Sequence, residues 1–255
     1  METTLPNIIP NPTTPHDSWA QWYDIIYDIF WGSLLEFKTD ETLKVIEAYV
    51  QSGLVTDFGC GTGRLSIPLA KKGFSVHAVD QSLGMTEELK RKKDSEGLSS
   101  LFLHTNSIAD FSGSQGDLSL CVFTVLNYIT TEEALNASLK TFAHCTAPGG
   151  YLFFDLGDDS FFSPLGFSHK YKKVGEFERE IHFGPTQDGI CNRRETGSGI
   201  LNNQPFQYTD SYPMRYWSPE HVLGLLEILG FVLVIDEFED LNFGGSSCYL
   251  MKKNK

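Results

Sequence analysis

Apolar positions along this chain change their period several times, and each change marks a new kind of element. Between Asp17 and Phe37, apolar residues at 22, 25, 26, 29 and 30 recur at helical spacing, and the stretch is rich in aromatics (Trp19, Trp22, Tyr23, Tyr27, Phe30, Trp31, Phe37). The pattern predicts a helix there and a second one around Glu41–Gln51, stopped by Gly53. Short β-prone runs then fall at Leu54–Phe58, Ser75–Asp80, Leu101–His104, Leu118–Phe123 and Gly150–Leu156, separated by helical stretches at Gly63–Lys72, Leu83–Lys93 and Glu132–His144. Strands alternating with helices build βαβ units and a mainly parallel sheet. Pro68 removes an amide donor early in its helix and is expected to bend or loosen that turn.

After Asp155 the rhythm breaks. Residues 157–213 hold several glycines and short alternating pieces such as Lys170–Phe177 and Glu178–Phe183, which suggest antiparallel strands instead of another βα unit. Ser218 then offers a helix cap, Pro219 suits the first helical position, and Gly230 ends the helix. Two last strands, Phe231–Glu237 and Ser247–Met251, flank a loop at Asp240–Gly245 and form a candidate closing hairpin. The organisation expected is a flexible arm over residues 1–15, which contains four prolines, one main domain from 16–156 and 214–255, and a β lid or subdomain inserted at 157–213.

With 255 residues, 41% of them hydrophobic, the chain fits one large α/β domain. A net charge of −13 acts against a polyanionic partner, and the basic clusters at Lys90–Lys93, Lys170–Lys173 and Lys252–Lys255 are short and scattered, so no nucleic-acid partner is expected. The five cysteines are odd in number and show no ligand spacing, so neither a zinc site nor a disulfide framework is indicated. No apolar run approaches the roughly 18 residues of a membrane span, and the first residues lack a signal-peptide pattern. The expected compartment is the cytoplasm, with no membrane partner and room for a homodimer.

The sharpest signal is Val55-Thr56-Asp57-Phe58-Gly59-Cys60-Gly61-Thr62-Gly63, a strand running into a glycine loop and then a helix. Such a loop lets a ligand approach the backbone beside the positive end of a helix, although a tight turn with no ligand reads the same way. The glycines follow GxGxG, not the GxGxxG of dinucleotide folds, and the next strand ends in Asp80, 23 residues after Asp57. That is close to the spacing of about 20 at which a strand-end carboxylate takes ribose hydroxyls.

At this point the sequence resembles the class I S-adenosylmethionine (SAM)-dependent methyltransferases. Val55–Gly63 is similar to their first motif, Asp80-Gln81-Ser82 with Met85 to the second, His104–Phe111 to the third, Asp117–Tyr128 to the fourth, and Pro148–Asp155 to the "PGG-strand" element. Met214–Phe231 resembles the family's late helix followed by "GF". The resemblance implies a Rossmann-like, doubly wound, mostly parallel seven-stranded sheet with a C-terminal antiparallel hairpin and an antiparallel β insertion after strand 5. It implies SAM as methyl donor and S-adenosylhomocysteine as product. Gly59, Cys60 and Gly61 would line the methionine part with their backbones, Asp57 would lie near its ammonium, and Tyr23, in a "YD" element, would reach its carboxylate. Asp80 would bind both ribose hydroxyls, Gln81 and Met85 would flank adenine, and Phe123 would join the cofactor-binding residues. The third motif departs from the family. Ser107 stands where an aspartate usually meets the adenine amino group, so adenine recognition would lean on the backbone at Ile108.

For catalysis the best-placed polar pair is Asn127-Tyr128, beyond the fourth strand. Tyr128 would orient the nucleophile or accept its proton, or else pack against the next helix. His169, His182, Tyr208, Tyr212 and Arg215 come from or border the insertion and either face the acceptor or serve structure. The expected activity is metal-independent transfer to nitrogen or oxygen of a small molecule. Two alternatives are a non-catalytic SAM-binding, partner-activating protein and a nicotinamide-dependent dehydrogenase.

Overall fold

The structure, a computed structural model, describes residues 14–172, 177–201, 204–238, 240–242 and 245–254. Most of the expected N-terminal arm lies outside the described residues, as do parts of the Lys170–Phe177 and Asp240–Gly245 segments. The central sheet is built from β1 (Leu54–Phe58), β2 (Ser75–Asp80), β3 (Leu101–Thr105), β4 (Gly116–Cys121), β5 (Thr146–Gly157), β10 (Phe231–Ile235) and β11 (Ser246–Lys253). Its order is β10-β11-β5-β4-β1-β2-β3. The pairs among β1 to β5 are parallel, whereas β11 runs antiparallel to both β5 and β10.

Alternate residues of each strand feed the two faces. Val55, Leu118, Leu120, Phe153 and Leu250 join one apolar cluster with α2 (Ser66–Lys71) and α3 (Leu83–Glu96). Phe58, Cys121, Leu152, Phe154 and Met251 join the other, under α4 (Glu132–Cys145) and α5 (Pro219–Ile228). The chain leaves β1 toward β2 and β3, then returns to lay β4 on the opposite side of β1. That reversal opens a crevice at the carboxyl ends of the strands, the usual ligand position in an open α/β sheet.

Two expectations at the helices are corrected. The N-terminal helices are one, α1 (Ala20–Tyr49), of 30 residues, or about 45 Å. Its apolar stripe changes faces because its two halves meet different partners. Trp22, Tyr27 and Trp31 pack toward the insertion, while Leu43 and Ile46 pack on the sheet. The Thr39 and Thr42 hydroxyls, which interrupt the pattern, donate back to the carbonyls of Leu35 and Lys38, both at 2.7 Å. Pro68 is the third residue of α2, and because the Ile67 and Leu69 amides on either side donate to the carbonyls of Gly63 and Leu65 at 3.0 and 3.1 Å, the proline removes the ladder donor between them, as expected. Ser218 stands at the start of α5 with Pro219 next, but its side chain makes no capping bond.

The insertion is a separate antiparallel sheet of β6 (Phe167–Lys172), β7 (Phe177–Phe183), β8 (Ile190–Leu201) and β9 (Gln204–Arg215). Its inward face is unusual, because charged residues alternate with aromatics. Arg179, Glu195 and Asp210 are completely buried and Arg193 nearly so. Glu195 pairs with Arg179 at 2.5 Å and Arg193 at 2.7 Å. The Arg179 guanidinium also lies 4.8 Å from the Tyr27 ring centroid and 4.6 Å from that of Trp31 on α1. Among the described residues, no helix is long and apolar enough to cross a membrane.

Candidate active site

Three adjoining cavities of about 410, 350 and 540 Å³ lie along the carboxyl edge of β1, β2 and β4. Tyr23 lines the first two, Tyr128 the second and third, and Phe123 all three.

β1 delivers the glycine loop to the first cavity. A Cβ on Gly59, at φ +70, would stand 2.5 Å from a Val125 methyl, whereas a Cβ on Gly61, at φ +53, would meet nothing. The loop backbone is thus packed on one side and open on the other, as a surface for a ligand requires. Cys60 contributes backbone, since its thiol is buried beside the Gly61 carbonyl at 3.7 Å. Asp57 accepts from the Ser66 hydroxyl at 2.5 Å, and burial raises its pKa to about 6. Arg64 lines the same cavity, donates to the Thr39 hydroxyl at 3.0 Å, and lies 5.3 Å from the Phe123 ring centroid. The sequence reading passed over this cation. Its signal was the basic residue directly after the last glycine of the loop.

Asp80 lines the second cavity with its carboxylate held from both sides. Oδ2 accepts from the Gly61 amide and Oδ1 from the Ser82 amide, each at 2.9 Å. One lone pair on each oxygen is left for a ligand, and burial raises this pKa too. Exposed Gln81 and buried Met85 line the same cavity, with Ser107 and Ile108 opposite. The Ser107 hydroxyl donates to Asp110 at 2.6 Å and accepts from the Asp110 amide at 3.2 Å, so it is partly committed within its own turn.

Phe123 and Thr124 follow β4 with φ of +78° and +59°, a left-handed pair without glycine. Such conformations cost about 1–3 kcal/mol each and persist only where surroundings enforce them. Asp155 at the end of β5 supplies the restraint by accepting from the Thr124 amide at 2.7 Å. Asn127, proposed from sequence as catalytic, is withdrawn from that role. It is fully buried, donates to the Arg215 carbonyl at 2.9 Å, accepts from the Gly157 amide at 2.8 Å and lines none of the three cavities, so it ties the loop together away from any substrate. Tyr128 faces the cavities, and burial holds its phenol well above the usual pKa.

The third cavity lies between the two sheets. Tyr27, Trp31, Lys38 and Phe123 line it from the main domain, and Phe167, His169, Ile181, Phe183, Arg193 and Met214 from the insertion. His182 instead points away to the Ser168 hydroxyl at 2.6 Å. Tyr208 binds Glu195 and stacks on Trp19 at 4.4 Å, and Arg215 is tied to the Thr130 carbonyl at 2.9 Å, so both serve structure. All five cysteines are free and buried, and among the described residues no group of three His, Cys, Asp or Glu is placed to hold a metal ion.

A Rossmann-like sheet with a glycine loop and a strand-end carboxylate at its switch point defines a protein that takes a nucleoside-bearing ligand. A family model described as "Methyltransferase domain" matches residues 55–150. The chain is 34% identical over 220 residues to "Putative methyltransferase YqeM" of Bacillus subtilis (strain 168), covering 79% of this chain and 83% of the relative. Its fold is similar to that of an S-adenosylmethionine-dependent methyltransferase from Clostridium acetobutylicum ATCC 824, with a TM-score of 0.78, 20% identity, and coverage of 92% and 99%. It is also similar to the sugar N-methyltransferase KedS8 from Streptoalloteichus sp ATCC 53650, with a TM-score of 0.77, 15% identity, and coverage of 100% and 99%. The chain belongs to the class I SAM-dependent methyltransferases, and the dehydrogenase and non-catalytic readings give way to a methyltransferase.

Proposed function

We propose that this enzyme methylates nitrogen or oxygen of a small-molecule acceptor held beneath the insertion, without a metal. The observation that carries this reading is Phe123, whose strained loop lines both cofactor-side cavities and the third one. In this assignment the free lone pairs of Asp80 take the ribose hydroxyls, Gln81 and Met85 flank adenine, and the Ile108 backbone reads its edge with help from Ser107. Gly59, Cys60 and Gly61 line the methionine chain, Asp57 faces its ammonium, and Tyr23 with Arg64 faces its carboxylate. Bound SAM supplies an electrophilic methyl group on a sulfonium. The chain's own residues position the acceptor and exclude water, with Tyr128 orienting the nucleophile.

Residues 157–213 act as the lid that selects the acceptor, because seven of the nineteen residues lining the third cavity come from them. A cavity of about 540 Å³ lined by aromatic and aliphatic side chains with Lys38, Asp155, His169 and Arg193 among them suits a small organic molecule better than a macromolecular end. The fold neighbour KedS8, described as a sugar N-methyltransferase, supports the same substrate scale. A crystal structure with sinefungin tests the assignment. Its adenine should lie beside Met85 and Ile108, and the amine that replaces the methyl should point past Phe123 toward Tyr128. An adenine lodged beside Tyr23 and Arg64 would overturn it.

A further inference from the structure

His16 lies where the N-terminal segment crosses from the loop after β2 to the insertion. Next to it, Asp17 accepts from the Ser82 hydroxyl at 2.7 Å and the Gly84 amide at 2.9 Å, which fixes the segment to the cofactor side. On the other side, the backbone N–H of His16, a residue with φ of +65°, donates to Asp210 Oδ2 at 2.7 Å. The Trp19 indole donates to the same oxygen at 3.0 Å. The imidazole is held between two kinds of partner. Nδ1 lies 3.3 Å from Asp210 Oδ2, within ion-pair range, and Nε2 lies 3.2 Å from the Tyr128 hydroxyl and 3.4 Å from that of Tyr212. His16 lines the cavity that also contains Asp80 and Tyr128.

We propose that His16, oriented by Asp210, is the proton acceptor of methyl transfer and takes the acceptor's proton through the Tyr128 hydroxyl. This inference rests on the methyltransferase reading above. The acceptor's lone pair forms the bond to the methyl carbon as the carbon–sulfur bond breaks, and the electron pair of that bond goes to sulfur, which becomes a neutral thioether. The proton on the acceptor nitrogen or oxygen passes to the Tyr128 oxygen, and the Tyr128 proton passes to His16 Nε2. Tyr128 ends protonated as it began, and His16 ends as an imidazolium beside Asp210.

The surroundings suit this exchange. The charged and titratable groups around the ring are Asp210 and Tyr212 on β9, Arg193 and Glu195 on β8, Asp80 on β2, Tyr23 on α1, and the adjacent Asp17. In the buried set, Arg179 and Arg193 balance Glu195 and Asp210, so a neutral imidazole leaves the set balanced, and Asp210 offsets the charge gained on proton transfer. The His16 backbone N–H and the Trp19 indole both donate to Asp210 Oδ2, which favours its carboxylate over the neutral acid whatever the charge of the ring. Burial holds the Tyr128 phenol up, which suits a relay that hands on one proton as it receives another.

The test is nitrogen NMR on full-length protein labelled with ¹⁵N-histidine and saturated with S-adenosylhomocysteine near neutral pH. The His16 signals are assigned by their loss in His16→Gln and, independently, in His16→Asn. The proposal expects a neutral ring with its proton on Nδ1 and a bare Nε2. A proton on Nε2, or on both nitrogens, overturns it, because such a ring cannot accept from Tyr128. On any amine or phenol of a screening panel that the parent methylates, His16→Gln should lose about 100-fold in kcat with little change in KM for SAM. That loss should shrink as pH rises and the acceptor gives up its proton to water, whereas an unchanged kcat and pH profile overturns the proposal. If the parent fails to bind S-adenosylhomocysteine, the methyltransferase reading itself falls; binding with the wrong tautomer removes only the role of His16.

Discussion

The inward surfaces of the central sheet are apolar along most of each strand, with Val55, Phe58, Leu118, Leu120, Phe153 and Phe154 packed under helices. The insertion sheet turns Arg179, Arg193, Glu195 and Asp210 inward instead, against the aromatic end of α1. The central sheet is held by burial of apolar area, so its polar side chains concentrate at the strand ends where a ligand sits. The insertion is held partly by buried charges, which are stable only while every partner is present. One region is held by apolar area with its polar groups at the rim; the other is a sheet whose shape depends on a few buried polar contacts.

Glu195→Ala should break this contrast most strongly. It leaves Arg179 and Arg193 buried without their shared counter-charge, an arrangement that typically costs about 3–5 kcal/mol. Hydrogen exchange should show β7, β8 and β9 losing protection while β1, β2 and β4 keep theirs. Equal loss in both sheets would show that they unfold as one unit, and the contrast would dissolve.

That contrast also governs what the sequence revealed. Asp57, the glycine loop and Asp80 lie at the ends of apolar strands, so local pattern and spacing were enough to find them. The parallel order of β1 to β5 and the antiparallel insertion were legible for the same reason, since their periods differ. Arg64 directly follows Gly63, one residue beyond the glycine pattern, and its place at the cavity is set by the fold. His16 was not legible, because its partners Tyr128 and Asp210 lie 112 and 194 residues away in sequence. Asn127 looked free as a polar residue beside a tyrosine, and only the fold shows that its amide joins Arg215 to Gly157. The break expected between two N-terminal helices marked a change of packing partner along one helix, which a fixed period cannot separate from a chain break.

A smaller effect is expected at Asp57, where the scaffold carries a polar group inside. Its carboxyl is raised from 3.8 to about 6, chiefly by burial. The unfolded chain is therefore the stronger acid, and the ligand-free protein loses stability as pH rises from about 4 to about 6 and does not recover it above. Asp57→Asn should abolish that slope and stabilise the ligand-free protein at neutral pH by about 1–3 kcal/mol, read by urea denaturation. SAM binding should show the opposite preference, because an ionised Asp57 is needed to face the ammonium. Parent affinity should fall as pH drops below about 6, while the variant binds weakly throughout. A variant that is no more stable and binds SAM as well as the parent would remove Asp57 from the site.

The central claim, that the sheet rim holds the cofactor and the insertion holds the acceptor, is tested most directly by calorimetric titration with S-adenosylhomocysteine. The comparison covers the parent, Asp80→Ala, and Ile181→Trp, which fills the third cavity from the insertion side. Asp80→Ala removes two charge-assisted hydrogen bonds and should weaken binding by about 2–4 kcal/mol. Ile181→Trp should bind within about threefold of the parent, a change below about 0.7 kcal/mol. Full affinity in Asp80→Ala, or a loss in Ile181→Trp as large as that expected for Asp80→Ala, would contradict the account.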